Sequence, residues 1–339
     1  MQKMNMALIQ KGHHLHMITS KLCPFTEQYK TWTCAHDIEQ LIESFRIYSK
    51  CVDFLHAHNE PSYYVSVWKE ITNKPVILDV HDSFLARSTP QEAEEIVKQG
   101  RIPFRVSIDE RNNFQLADAL IFPSEPFKNL ICGEFKLTQP TLVLPSYTTK
   151  MHYEYTSGEW LGGLAYGGKV QLEMEKEGRY YQYCNYIDLA DKSKEIGLDF
   201  HLYSGRDEEN KDFQNAYKNA IIHKPLTYPK FIQKLGRHDW GLVGNTNKSS
   251  EWRVAFPNKL FDYIAAGLPI VAINAPEVGQ FIRQHDIGIE VDSLEELCAR
   301  WREHREKRSN LIKKRYQFSM DNNIHYLEDF YKKVVQHGC

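Results

Sequence analysis

The stretch His238–Pro276, HDWGLVGNTNKSSEWRVAFPNKLFDYIAAGLPIVAINAP, decides how this chain is read. Its apolar run Trp240–Val243 has the look of a buried strand, and a loop of small and polar residues follows. A helix then begins near Pro257 and stops at Gly267, and Pro269–Ile273 is a second buried strand. Proline suits the first turn of a helix and glycine its end. The amides just inside that first turn point outward with the positive end of the helix dipole behind them, which is where anions settle. Lys259 in the first turn adds a full positive charge, with Asn258 beside it, and Asp262 one turn on offers an acceptor for hydroxyl groups. Lysine and helix amides for phosphates, with a carboxylate for a ribose diol, are what a nucleotide-sugar donor requires.

The same alternation extends in both directions. Strands are expected at Leu15–Thr19, Val52–Ala57, Pro75–Val80, Ala119–Phe122 and Thr141–Leu144 in the first half. Those of the second half are Leu164–Tyr166, Asp199–Tyr203, Trp240–Val243, Pro269–Ile273 and Gly288–Val291. Asp37–Lys50, Pro61–Thr72 and Arg105–Leu116 carry apolar residues three and four apart, as helices with one buried face do. Strands alternating with helices imply parallel sheets covered on both faces. Pro145–Trp160, without a clear period, is the expected linker between two such halves. The last stretch, Tyr316–His337, is one more helix whose Ile324, Leu327, Phe330, Tyr331 and Val334 share a face that needs a cover. The start departs from the usual pattern: Met1–Lys11 is helical and Gly12 its stop, so the strand and glycine loop that open a doubly wound domain are missing.

Composition sets the class. At 339 residues the chain is long enough for two domains, and 42% hydrophobic with 25% charged residues is an ordinary folded composition. Mean hydropathy is −0.53 and no apolar run approaches the length of a membrane span. Against 44 Asp and Glu stand 42 Lys and Arg, so no overall basic field invites nucleic acid. Seven cysteines, odd in number and scattered without a CxxC, suit reduced thiols in the cytoplasm. The eight Lys and Arg of Arg300–Arg315 are expected on a solvated helix face, with peripheral association at the inner face of an anionic membrane as the alternative. The pairs His14/His16 and His56/His58 each put two imidazoles on one side of a strand, but no third ligand is set by the sequence, so no metal site is expected.

At FPNKLFDYIAAGLPIVA the chain resembles the donor-binding helix of the retaining glycosyltransferases of family four, which have the GT-B fold. KGHHLHMITS, VDFLHAHNEP, PVILDVHDS, ADALIFPSE, LVLPSY, AYGGKV and DFHLYSG follow in the order that family shows, so the resemblance covers nearly the whole chain. It implies an α/β fold of two Rossmann-like doubly wound domains facing across a cleft, the first short of its first strand. Their expected bounds are 1–147 on the acceptor side and 148–318 for the donor, with 319–339 crossing back to the first.

The resemblance places the ribose-gripping carboxylate on Asp262, one methylene shorter than the family's usual Glu. The family's upstream Glu falls on Val254, with Glu251 as the nearby substitute. Lys169, after Gly167 and Gly168, is the nearest candidate for the diphosphate clamp, with Arg206 behind it. His81, after the PVILDV strand, stands where the family has a histidine beside the reacting sugar, and His58, Asn59 and Asp82 complete the acceptor side. The base is expected to be read mostly by backbone in His223–Tyr228. The implied reaction moves a sugar from a nucleoside diphosphate to a saccharide or lipid-linked acceptor with retention, in surface polysaccharide synthesis. His81 and Lys259 are its expected catalytic residues, and no cofactor is needed. The chain contains no Asp-x-Asp to hold a metal on the diphosphate. A nucleotide-sugar epimerase on the same fold, or a nucleotide-sugar-binding protein without transferase activity, are the alternatives.

Overall fold

The computed structural model describes residues 2–19, 29, 31–58, 62–81, 83, 104–153, 158–170, 184–205, 211–247 and 250–337. Asn59, Asp82 and Arg206, and the side chain of Glu251, lie outside the described residues. The chain divides into two compact units, one of Met1–Tyr147 with Met320–Cys339 and one of Thr148–Ser319.

The second unit is built on a six-stranded parallel sheet of β7 (Leu164–Gly167), β8 (Phe200–Tyr203), β9 (Ile221–Ile222), β10 (Trp240–Gly244), β11 (Ile270–Ile273) and β12 (Gly288–Val291). Its order, β12-β11-β10-β7-β8-β9, is the doubly wound 3-2-1-4-5-6 read from the other edge. The side chains of β7, β8, β10 and β11 are wholly buried, as strands covered on both faces must be. Trp240, Leu242, Tyr166, Leu202 and Val271 fill one core with Leu189 and Phe213.

The first unit holds two separate parallel groups. β1 (His16–Thr19) pairs with β2 (Thr31–Cys34), while β3 (Leu55–His58), β4 (Val76–Asp79), β5 (Ala119–Phe122) and β6 (Thr141–Val143) form a four-stranded sheet. Among the described residues no ladder joins the two groups. The described residues open with a helix, α1 (Gln2–Gln10), where a helix was expected. The C-terminal helix Met320–His337 packs Ile324, Leu327, Phe330, Tyr331 and Val334 with Met4, Ala7 and Leu8 of α1, which supplies the cover its apolar face needs.

Three expectations are corrected. The strands β2 and β9 were not anticipated; β2 is half exposed and β9 only two residues long, so neither carries an apolar run. Much of Pro145–Trp160 is not free linker: Thr148 and Thr149 are fully buried, and Tyr153 donates its hydroxyl to the Arg315 carbonyl. The basic run is not simply a solvated face either. Arg308 donates to the carbonyls of Gly236, Gly267 and His238, and Arg315 to that of Ala265. Lys314 donates to His285 O, Lys307 pairs with Asp286 and Arg300 with Glu303. Cations placed on helix C-terminal carbonyls satisfy acceptors that the helix leaves open. Among the described residues no helix is long and apolar enough to cross a membrane.

Candidate functional site

In the second unit the strand order reverses between β7 and β10, and ligands of such sheets collect beyond the carboxyl ends of the strands at that point. Gly167, Gly168 and Lys169 end β7 there, and Gly244 and Asn245 end β10. The helix Asn258–Ala266 (α9 below) is set by Pro257 at its N-cap and by Gly267, left-handed at φ 67°, at its C-cap. Among the described residues no side chain caps its N-terminus; Leu260 N donates to the Pro257 carbonyl at 3.1 Å, which leaves the Asn258 and Lys259 amides as the first-turn donors for an anion.

Lys259, in that first turn, donates to Tyr166 Oη at 2.6 Å and stands 3.9 Å from the centre of the Tyr166 ring and 5.5 Å from that of Trp252. Burial among these rings pulls its pKa down to about 7, against smaller opposing effects of Cys184 and Asp262. Tyr166 passes the contact on by donating its hydroxyl to the Lys169 carbonyl at 3.0 Å. Gly168 has φ +148°, and a Cβ there would lie 3.2 Å from Lys259 Cε and Nζ. Its bareness gives the lysine its berth. The amides of Gly167 and Gly168 are themselves engaged, donating to Tyr263 Oη and the Tyr203 carbonyl at 3.0 Å each. These two glycines therefore shape the turn, and the cationic groups beside it are the start of α9 and Lys259.

Asp262 follows Lys259 by three residues and so shares its face of the helix. Tyr228 donates its hydroxyl to Asp262 Oδ1 at 2.5 Å, and His152 packs edge-on against the Tyr228 ring at 4.8 Å. Burial first, then the charge and hydrogen bond of Asp262, push the Tyr228 hydroxyl far above its usual pKa. It stays a donor. Tyr228 opens the helix Tyr228–Leu235 and closes the His223–Tyr228 loop expected to read the base. Asn258 is exposed as the first residue of α9, and Lys169 is exposed beside Gly168. Glu251 falls in the 3-10 turn Ser250–Arg253. Tyr166, Tyr228, Trp252 and Tyr263 were missed by sequence reasoning, because nothing in their local pattern separates them from the many core aromatics.

His58 and His81, expected on the acceptor side, lie in the first unit. His58 ends β3, and its register partner Asp79 ends β4, with His81 two residues beyond. Asp79 is 1% exposed, and its Oδ2 lies 2.9 Å from His81 Nε2, 3.1 Å from His58 Nδ1 and 3.7 Å from His56 Nε2. Burial would raise the Asp79 carboxyl, but the charge of His81 and the three neighbouring imidazoles outweigh it and hold the carboxyl well below its usual range. Burial, aided by His56, lowers His58 to about 3.

Two doubly wound units, one with an uncapped helix start and a lysine at its switch point, define the GT-B class of fold. The solved structures bear this out. Sucrose-phosphate synthase from Thermosynechococcus elongatus is 13% identical with a TM-score of 0.71, over 98% of this chain and 92% of that one. HepE of Anabaena in complex with UDP is 11% identical with a TM-score of 0.69, over 98% and 96%. A glycosyltransferase from Rickettsia africae is 11% identical with a TM-score of 0.66, over 98% and 93%. Residues 183–326, most of the second unit, match the family model of the glucosyltransferase 3-like C-terminal domain. A chitobiosyldiphosphodolichol beta-mannosyltransferase of Candida glabrata is 28% identical over 92 residues, which are 27% of this chain and 19% of that protein. The chain thus spans about a fifth of that curated relative.

Proposed function

We propose that the chain is a glycosyltransferase that moves a sugar, with retention, from a nucleoside diphosphate to a saccharide or lipid-linked acceptor. The observation that carries this reading is the convergence of Lys259, the uncapped start of α9 and Asp262 at the switch point of the second sheet. Asp262, oriented by Tyr228, takes the ribose hydroxyls. The α9 amides and Lys259 take the diphosphate, with Asn258 and Lys169 at its exposed edge. As the bond to the anomeric carbon breaks, negative charge grows on the leaving diphosphate, and groups already aimed there stabilise it without reorganisation. No metal on the diphosphate is needed for this. His81, with Nε2 turned onto Asp79, offers its other nitrogen to a sugar hydroxyl from the first unit. We also assign it to surface polysaccharide synthesis in the cytoplasm; the five described cysteines, none of them in a disulfide, agree with that reducing compartment.

The test is a thermal-shift panel of UDP-, GDP- and ADP-sugars, beginning with UDP-glucose because a structure of HepE holds that compound. One nucleotide class should stabilise the protein, and Asp262→Ala should abolish the shift. With the matching donor, free nucleotide should be released and the product's anomeric configuration, read by NMR, should equal the donor's. Binding without release from any donor, in the presence of varied saccharide acceptors, would leave a nucleotide-sugar-binding protein and sink the transferase reading.

A further inference from the structure

We propose that His56, His58 and Asp79, with His81 beside the carboxylate, form a site for one divalent transition metal, of the zinc type, in the first unit. The site goes beyond the transfer reaction proposed above and does not depend on it.

The ligands come as two i, i+2 pairs, His56/His58 on β3 and Asp79/His81 at the end of β4, from neighbouring parallel strands with His58 opposite Asp79. Alternate residues of a strand share a face, so the register brings both pairs to one place. The pair on β3 was visible in the sequence; the third and fourth donors come from the adjacent strand. His56 Nε2, His58 Nδ1, Asp79 Oδ2 and His81 Nε2 are all buried, and none makes a hydrogen bond among the described residues. They are nevertheless close: the three nitrogens lie 2.9, 3.1 and 3.7 Å from the carboxylate oxygen. Near in distance but misaligned for hydrogen bonding is the arrangement of atoms aimed at a common centre. One ligand atom each from His56, His58 and Asp79 lie within 4.8 Å of one another, and His81 Nε2 stands beside the same carboxylate oxygen; donors about 2.0–2.1 Å from a tetrahedral zinc ion stand roughly 3.3 Å from one another, a spacing this group can close to. Four buried polar atoms unsatisfied at one point would otherwise be a costly defect.

The outer contacts agree. His56 Nδ1 lies 2.5 Å from Tyr331 Oη. With Nδ1 carrying the proton and donating to that oxygen, Nε2 presents its lone pair inward, the support that metal-bound imidazoles usually receive. Three imidazoles and one carboxylate select zinc, cobalt or nickel over magnesium or calcium, which take oxygen ligands. His56, His58 and Asp79 are the mutually close ligands, and His81 is the neighbour placed to complete the set. The ion ties β3, which has one strand neighbour among the described residues, to β4, and fixes the ring of His81.

The histidine group of the second unit behaves differently. His238 spends Nδ1 on the Gly162 carbonyl at 2.6 Å and Nε2 on Tyr203 Oη at 2.7 Å. His201 Nδ1 faces His223 Nε2 at 3.0 Å. His201 Nε2 is its one ring nitrogen left buried without a hydrogen bond among the described residues, so the group is chiefly a hydrogen-bonded network of rings and makes a built-in control.

The full chain, without a histidine tag, is stripped by chelator and titrated with Co²⁺ and with Zn²⁺. Expected are one equivalent of either metal by elemental analysis, intense visible absorption of tetrahedral Co²⁺ that Zn²⁺ displaces, and a raised melting temperature. His58→Gln and Asp79→Asn should each abolish stoichiometric uptake, Tyr331→Phe should weaken it roughly 10- to 100-fold, and His201→Gln should leave it unchanged. Nucleotide-sugar binding by the second unit should persist in the stripped protein, which separates this proposal from the transfer reading. Absence of stoichiometric uptake by the natural chain, a weak octahedral cobalt spectrum, or uptake retained in His58→Gln and Asp79→Asn would each overturn the site. The spectrum of the natural chain decides the matter even where a variant fails to fold.

Discussion

Tyr228 Oη lies 2.5 Å from Asp262 Oδ1, so a tyrosine that closes one loop sets the direction of a carboxylate 34 residues further on. The hydroxyl, kept protonated by burial and by Asp262, can only donate to it. The proposed ribose contact of Asp262 would be made by a carboxylate that this hydrogen bond already orients.

The first prediction follows from that contact. Tyr228→Phe removes a hydrogen bond to a charged group while leaving the ring in place, and should weaken donor binding by about 1–2 kcal/mol, roughly 5- to 30-fold in Kd. Titration calorimetry with the matching nucleotide measures it. An unchanged Kd would mean that Asp262 is not positioned by Tyr228.

Lys259 yields a prediction about pH. Its folded pKa of about 7 lies below the usual 10.5, so between these values the unfolded chain binds a proton that the folded chain lacks. Its contribution to stability therefore rises with pH across that window and is least below pH 7, where a charged ammonium is buried. A bound diphosphate favours the charged form. Donor affinity should thus be highest below pH 7 and fall toward pH 9, and binding at pH 8 should take up a proton, seen as a buffer-dependent binding enthalpy. Lys259→Met should abolish the uptake and lower kcat by about a hundredfold or more. Proton uptake surviving in that variant would assign it elsewhere.

Gly168 carries the next. At φ +148° with a Cβ position 3.2 Å from the Lys259 ammonium, Gly168→Ala both strains the backbone and displaces the lysine. The strain should cost on the order of 1–3 kcal/mol in chemical denaturation. Donor affinity should drop as well. A loss of stability with donor affinity intact would show that the glycine serves only the turn.

The fold was largely legible because wholly buried strands are marked by apolar runs such as Val76–Leu78 and Ile270–Ile273. TWTC of Thr31–Cys34 escaped notice because it is half exposed and lacks such a run. Lys259 and Asp262 could be paired from sequence since three residues on a helix is a fixed geometry. Tyr166, 93 residues from Lys259, reaches it only through the order of the strands, which no local pattern records. The same holds for Asp79 and His58, joined by register across β3 and β4. The basic run was misjudged for a different reason: whether an arginine meets water or a helix-end carbonyl depends on what packs beside it. Arg308 meets the carbonyls of Gly236 and Gly267.

The histidines of the second unit supply the last prediction. Burial, then the charge of His201, lowers His238 to about 3; burial, then Lys234 and His201, lowers His223 to about 4. Both stand below the usual 6.5, so from pH 6.5 down to their folded values the unfolded chain binds protons that the folded chain does not. Stability conferred by these two rings is full above pH 6.5 and is lost progressively as the pH falls through that window. Acidic carboxylates also weaken the fold at low pH, so the slope of one curve is not diagnostic, but the difference between two curves is. Urea unfolding of the natural chain between pH 7 and 4 should show a steeper loss than that of His223→Gln, by close to one proton near pH 5. His223 is only partly buried near the short edge strand β9, where glutamine can be accommodated. Parallel curves for the two proteins would mean that His223 titrates in the folded state as it does in water, and the buried neutral network would be disproved.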